Sequence, residues 1–209
     1  MKTLIIVCLS LCLMFSVVHS QEESVDFFKL VELITQDPSG DFYLEDLQSQ
    51  FRENPIKAGV ETYRLMYYGK VFQTGFEKMK INGDQENFEK LFFKGKIESG
   101  LDYGMKAYEQ DPVDLKTLYL LTASFSMLEM KDQEQYYGHQ LGMLVEAILT
   151  SGNGKEVDNP FLVVTVGDQY VMKGILGFDS MKRSSSFDDF YIYDVWGEGD
   201  DLLVFALYR

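Results

Sequence analysis

The stretch SGNGKEVDNPFLVVTV, residues 151–166, is where the chain changes its hydrophobic period. Before Asn159-Pro160 the apolar residues recur mostly at i, i+3, i+4 and i+7, the spacing of one helix face. After it they run together or alternate, as strand residues do. SGNG closes a helix, since glycine accepts the backbone that a helix C-terminus needs. FLVVTV is apolar and β-branched, the composition of a strand. SGNGK resembles a phosphate loop only superficially. It lacks the glycine spacing and ends a helix where a phosphate loop opens one. The switch sets the fold class: α+β, with an N-terminal helical layer and a small C-terminal antiparallel β-meander.

Working back from the switch, the spacing predicts about seven helices. Ser24 is expected to cap a first helix through Phe27, Leu30, Val31 and Ile34, broken by DPSG at 37–40. Leu44, Leu47 and Phe51 predict a second, stopped at Asn54-Pro55, and ETYRLMYYGKVFQTGF at 61–76 is the third. Asp84 is the expected cap of a fourth through Phe88, Leu91 and Phe92, and a fifth ends at Pro112. Residues 113–130 and 133–150 form a last pair, with Asp132 as cap. Ala107 and Pro112 stand at the spacing seen late in tetratricopeptide repeats, and Leu118, Leu121 and Phe125 fit the next one. Glu134 and Gly138 do not, so the reading is of degenerate tetratricopeptide-like helix pairs. Forward of the switch, Asp168 is expected to cap a short helical turn to Gly177, with a short strand near 179–183. FYIYDVW and LLVFALYR then read as strands joined by the GEGDD turn.

Residues 1–20 read as a cleaved signal peptide: Lys2 supplies the positive start, residues 4–18 are apolar, and VHS ends at Ser20. That run is shorter than the ~20 residues a membrane span needs. Cys12 follows Leu11 and apolar residues continue beyond it, which argues against lipid attachment. Cleavage between Ser20 and Gln21 would remove Cys8 and Cys12, the chain's two cysteines, so no disulfide is expected. The organisation expected is 1–20 leader, 21–158 helical region and 159–209 meander packed on it, one compact mature domain. The full chain carries 19 basic against 33 acidic residues, a net charge of −14. Such a chain repels nucleic acid and anionic lipid headgroups. No nucleic-acid partner and no membrane anchor in the mature chain are expected.

YRLMYYG at 63–69 with Gln73, ILTSGNGK at 148–155, and V..VGDQYVMKGILG at 163–177 together resemble the domain of unknown function 4919 family, over roughly residues 26–208. The resemblance implies an exported protein of Bacteroidota, in the envelope of a Gram-negative cell, and implies no particular activity. The family pattern has an acid before the tyrosine of the last block, where this chain has Gln169.

In 61–76, Tyr63, Met66, Tyr67 and Val71 share one helix face, and Leu65, Tyr68 and Phe72 a neighbouring one. A helix so apolar around its circumference is expected between others. Arg64 and Tyr68 could face a groove and grip a carboxylate or sugar. Alternatively the tyrosines are core, with their tips bonded to backbone, and Arg64 pairs with Glu61 and the Tyr68 ring. The scaffold reading is favoured, because Gly69 costs a helix interior ~1 kcal/mol and permits close packing. His139 is the one histidine after residue 20 and lacks a nucleophile motif or thiolates, so it reads as a helix-surface or interface residue. Asp188-Asp189 and Glu198, Asp200 and Asp201 lack the calcium-loop pattern and read as turn chemistry. KRSSS at 182–186 reads as a solvated loop. No metal and no cofactor are expected.

Stacked helical hairpins make concave surfaces that hold peptides or proteins. On the sixth helix that surface would carry Lys116, Tyr119, Ala123 and Met127. The leading expectation is a non-enzymatic binding module of the periplasm or cell exterior, with a peptide or protein partner. The rival is a carboxylate hydrolase acting on carbohydrate or peptide, with Arg64, Tyr68 or His139 assisting. Converging carboxylates in a deep pocket would favour the enzyme; a shallow apolar groove would favour binding.

Overall fold

A computed structural model describes residues 27–77 and 82–209. The expected leader and the Ser24 cap lie outside the described residues. Among the described residues, seven α-helices precede a four-stranded sheet, with one more helix inserted after its first strand. The protein is α+β.

The first helix, α1 (Phe27–Thr35), buries Phe28, Val31 and Thr35. At DPSG, Asp37 accepts hydrogen bonds from the Ser39 amide and hydroxyl, which turns the chain. In α2 (Leu44–Glu53) the buried residues are Leu44, Leu47 and Phe51, as the spacing predicts. The next helix, α3 (Val60–Gly69), runs into a 3-10 turn (Lys70–Phe72) and buries every residue from Tyr63 to Gly69. It packs against α1, α2 and α7 (Lys131–Leu149), the sandwiched setting expected. Gly69 is the last residue of α3, and a Cβ there would lie 3.1 Å from the Thr35 methyl.

Three caps differ from expectation, and each difference has the same cause. The side chain of Asn82, not Asp84, caps α4 (Gly83–Phe93), accepting from the Asp84 and Gln85 amides. Thr165 caps α8 (Val166–Ile175) with Asp168 as the reciprocating third residue of a capping box. Met130 holds the cap position of α7, and Asp132 stands in its first turn. Acids are stabilised anywhere in the first turn by the helix dipole, so an acid near a helix start does not fix its boundary.

Between these, α5 (Ile97–Gln110) and α6 (Leu115–Met127) pack on each other and on their sequence neighbours α4 and α7. Gly100 and Gly104 of α5 leave room for the Phe88 ring of α4.

The sheet consists of β1 (Phe161–Val163), β2 (Arg183–Phe187), β3 (Tyr191–Glu198) and β4 (Asp201–Tyr208), in the order β1-β4-β3-β2. β2, β3 and β4 form the antiparallel meander, but β1 runs parallel to β4, with Phe161 beside Phe205. The sheet is therefore mixed, a correction to the all-antiparallel expectation. Parallel neighbours need a long crossover, and α8 with β2 and β3 supplies it. KRSSS is likewise corrected: Arg183 to Ser186 belong to edge strand β2, displaced from the strand expected near 179–183.

One hydrophobic cluster joins helices and sheet. Its aromatic hub is Phe28 of α1, edge-on to Tyr68 at 5.5 Å and stacked on Tyr208 of β4 at 4.7 Å.

Candidate functional site

The tyrosines of α3 are core residues whose hydroxyls tie the helix to its neighbours. Tyr63 donates to the Pro55 carbonyl at 3.0 Å, and Tyr68 to the Leu162 carbonyl of β1 at 3.0 Å. Tyr67 donates to Asp168 Oδ2 at 2.8 Å and accepts from the Val164 amide at 3.2 Å. Arg64 binds both Glu61 oxygens, at 2.5 and 2.6 Å, and Thr150 Oγ1 at 2.6 Å. Gln169 is buried, donating to Asp194 at 2.7 Å and accepting from the Trp196 indole at 2.9 Å. The three sequence blocks that carry the resemblance thus meet at one junction of α3, the end of α7, and β1 with α8. Replacing Tyr67 with phenylalanine strands the Val164 amide and removes a donor from Asp168. We expect a loss of about 2 kcal/mol in urea unfolding, with helix content unchanged by circular dichroism.

Beside this junction lies a cleft of about 730 Å³, between α3 with its 3-10 turn, the start of α4, and the α5–α6 loop. Most of the residues that line it carry polar side chains. At its floor Lys70, with 7 % of its side chain exposed, reaches Asp111 Oδ2 at 2.8 Å and the Val113 carbonyl at 3.2 Å. Its ammonium also lies 5.1 Å from the Tyr67 ring centroid. Burial alone would lower the Lys70 pKa, but the carboxylates of Asp111, Asp114 and Asp168 outweigh it and hold the ammonium charged.

Asp114 caps α6 by accepting from the Thr117 amide at 2.7 Å, and it also accepts from the Gln85 amide group. Burial pushes its carboxyl up to about 6, against the pull of Lys70. Asp168 sits behind, its pKa likewise raised by burial and opposed by Lys70, the Tyr67 hydroxyl and Thr165. Above them the wall carries amides: Gln73, Asn82, Gln85 and Gln110 line the cleft. Asn82 donates to Gln110 at 2.9 Å, and Gln110 donates to Asp84 at 2.8 Å.

None of the six residues picked from the sequence lines this cleft. Arg64 and Tyr68 belong to the junction. Lys116 is bound to Glu89 of α4 at 2.8 Å. Tyr119 and Met127 are exposed on α6, and His139 is exposed on α7. The cleft residues went unread because they lie far apart in sequence: Lys70 and Asp111 are separated by 41 positions. Two local signals were available. Lys70 directly follows an aromatic helix with no polar face, and Asp111 and Asp114 bracket Pro112-Val113 at a helix start. Among the described residues no cluster of three His, Cys, Asp or Glu side chains is arranged to hold a metal ion. Asp188 and Asp189 stand in the β2–β3 turn and Asp200 in the β3–β4 turn, where Glu198 and Asp201 are the strand residues that flank it. Asp188 accepts from the Phe190 and Tyr191 amides, which holds its carboxyl below the usual range.

Fold and cleft together define an α+β protein with a polar cleft whose floor holds one buried cation among several acids. The family model for "Domain of unknown function (DUF4919)" matches residues 29–196, and the chain belongs to that family. No curated protein and no solved structure matches the chain. Among the described residues no helix is long and apolar enough to cross a membrane.

Proposed function

We propose that the protein is a non-enzymatic binding module whose cleft receives an extended peptide carrying a cationic side chain. The carrying observation is the floor: Lys70 is set among Asp111, Asp114 and Asp168, and Asp111 and Asp114 line the cleft. A ligand ammonium or guanidinium would meet a site already biased toward positive charge. The surrounding amides can donate to and accept from a peptide backbone. The whole chain's −14 charge steers cationic ligands toward it. The apolar leader at 4–18 supports a place of action outside the cytoplasm, in the envelope or beyond it. Relative to the sequence expectation, this reading keeps the peptide partner and moves its seat from the exposed face of α6 to a cleft that is not the apolar groove expected. Its converging carboxylates are held by Lys70 and by the Val113 and Thr117 amides, which is why binding is kept ahead of the enzyme.

The test is calorimetric titration with short lysine-bearing peptides and their acetylated counterparts. The expected result is binding to the charged peptide alone, weakened at least about tenfold (roughly 1.4 kcal/mol) when Asp111 and Asp114 are both asparagine. Asparagine caps a helix nearly as well as aspartate, so α6 keeps its start. Equal binding of the acetylated peptide would defeat the reading. One observation favours a second reading, a hydrolase: Asp114 titrates near 6 in the cleft, where an acid–base catalyst would be useful. Peptide or glycan turnover that is lost in Asp114→Asn would select it.

A further inference from the structure

The outer edge of the sheet is β2, and the described residues place no strand on its far side. Its sequence is KRSSSFDD, residues 182–189. The Gly197 amide donates to the Lys182 carbonyl at 2.8 Å, and the Asp188 amide donates to the Tyr191 carbonyl at 3.0 Å. In an antiparallel ladder the bonded pairs alternate, so residues 182, 184, 186 and 188 turn their backbone groups toward β3. Arg183, Ser185 and Phe187 therefore turn theirs outward. All five residues of the strand are exposed.

We propose that two copies of this chain pair edge to edge through β2, antiparallel and two-fold symmetric about Ser185, making one eight-stranded sheet. In that register every outward-facing residue meets an outward-facing residue: Ser185 meets Ser185 of the second copy, and Arg183 meets Phe187. The remaining pairs are Ser184 with Ser186 and Lys182 with Asp188. The symmetry makes every pair but the central Ser185–Ser185 occur twice, as an isologous interface requires.

Charge selects both the occupant and its direction. Basic residues stand at one end of the strand and Asp188 and Asp189 at the other, with three uncharged serines between. A parallel partner would set Lys182 against Lys182 and Asp188 against Asp188, and like charges directly opposite are destabilising. An antiparallel copy sets each against its opposite. Charges on an edge strand ordinarily discourage pairing; this arrangement discourages all but one orientation. Several contacts within the chain adjoin the interface: the Ser185 hydroxyl donates to Asp194, the Arg183 guanidinium lies 3.9 Å from Asp194 and 5.3 Å from the Trp196 ring centroid, and Arg209 donates to the Asp188 carbonyl at 2.6 Å. Lys182 pairs with Glu198, Asp188 accepts from Tyr193 Oη at 2.8 Å, and the Arg209 guanidinium lies 5.0 Å from the Phe187 ring centroid. Each lies within its own copy and leaves the outward backbone groups of 183, 185 and 187 uncovered.

The test is analytical ultracentrifugation of the purified protein over a concentration series at physiological salt, where screening limits the repulsion between two acidic copies. The wild type is expected to be a reversible dimer. Ser185→Pro removes the central outward N–H and leaves the backbone bonds to β3 in place, at the loss of the Ser185 hydroxyl's bond to Asp194, and the dimer dissociation constant is expected to rise at least about tenfold. A second variant guards against misfolding. With Cys8 and Cys12 changed to serine, Ser185→Cys places two thiols at directly opposed positions, within the Cα separation a disulfide spans. It is expected to oxidise to a covalent dimer, while Gln133→Cys, exposed on α7, is not. A wild type that remains monomeric at all concentrations, a dimer indifferent to Ser185→Pro, or equal cross-linking at 133 and 185 would overturn the proposal.

Discussion

Replacing Lys70 with methionine is expected to destabilise the protein by roughly 3 kcal/mol at pH 7. The ammonium is buried, bound to Asp111, and surrounded by the fields of Asp114 and Asp168. Methionine fills a similar volume but leaves those carboxylates without their cation. The sign of the pH dependence follows from the acids. Asp114 and Asp168 already have folded pKa values raised above their unfolded ones. Such a group holds a proton in the folded state where the unfolded chain has released it, so stability falls as pH rises through that window. Loss of Lys70 raises both further and widens the window. The deficit should therefore be largest at pH 7 and above and shrink as pH falls toward 4. Urea unfolding of wild type and Lys70→Met at pH 5 and pH 7.5 checks this. An equal deficit at both values would show that lost packing, not lost charge, is responsible.

Gly152→Ala is expected to cost a similar amount, roughly 3 kcal/mol, for a purely steric reason. A Cβ at 152 would lie 2.0 Å from the Pro160 carbonyl oxygen and 2.7 Å from its carbon. Both are backbone atoms, so no side-chain rotation relieves the clash. Nor can the loop yield easily. The Asn153 and Gly154 amides both donate to the Asn159 carbonyl, at 3.1 and 3.0 Å, and the Val204 amide donates to the Gly154 carbonyl at 2.9 Å. The Leu162 amide donates to Ser151 Oγ at 2.8 Å. Separating Gly152 from Pro160 means pulling β1 away from the end of α7. By calorimetry the midpoint should fall by about 6–12 °C; a shift within about 2 °C would show that the loop can move.

These two positions differ in how far the sequence announced them. SGNG was legible as a helix stop because glycine pairs mark chain reversal locally, and α7 does end there. Leu44, Leu47 and Phe51, and the tyrosines of α3, were legible as core because helical spacing reports burial directly. What periodicity cannot report is which strand lies beside which. Phe161 to Val163 read correctly as a strand, but their parallel partner lies over forty residues downstream, and nothing in FLVV encodes its direction. β2 was misread for the converse reason: three serines carry no apolar signal, and the strand exists because β3 supplies the ladder. Lys70 among the acids was invisible because it depends on where the α5–α6 loop comes to rest against α3.

The parallel pairing of β1 with β4 carries a consequence for biosynthesis. β1 leaves the ribosome about forty residues before the strand that completes it, since Phe161 pairs with Phe205. Through that interval its apolar residues rest on α7, α8 and the tyrosines of α3, and β3 also waits for its inner neighbour. Sheet closure is thus a late, long-range event with the slow kinetics of non-local contacts. A nascent chain stalled before Leu202 would hold β1 without a partner and β3 with its inner edge open, both able to pair with other chains. The order in which the segments are made keeps the protein unfinished, and sticky, until β4 emerges.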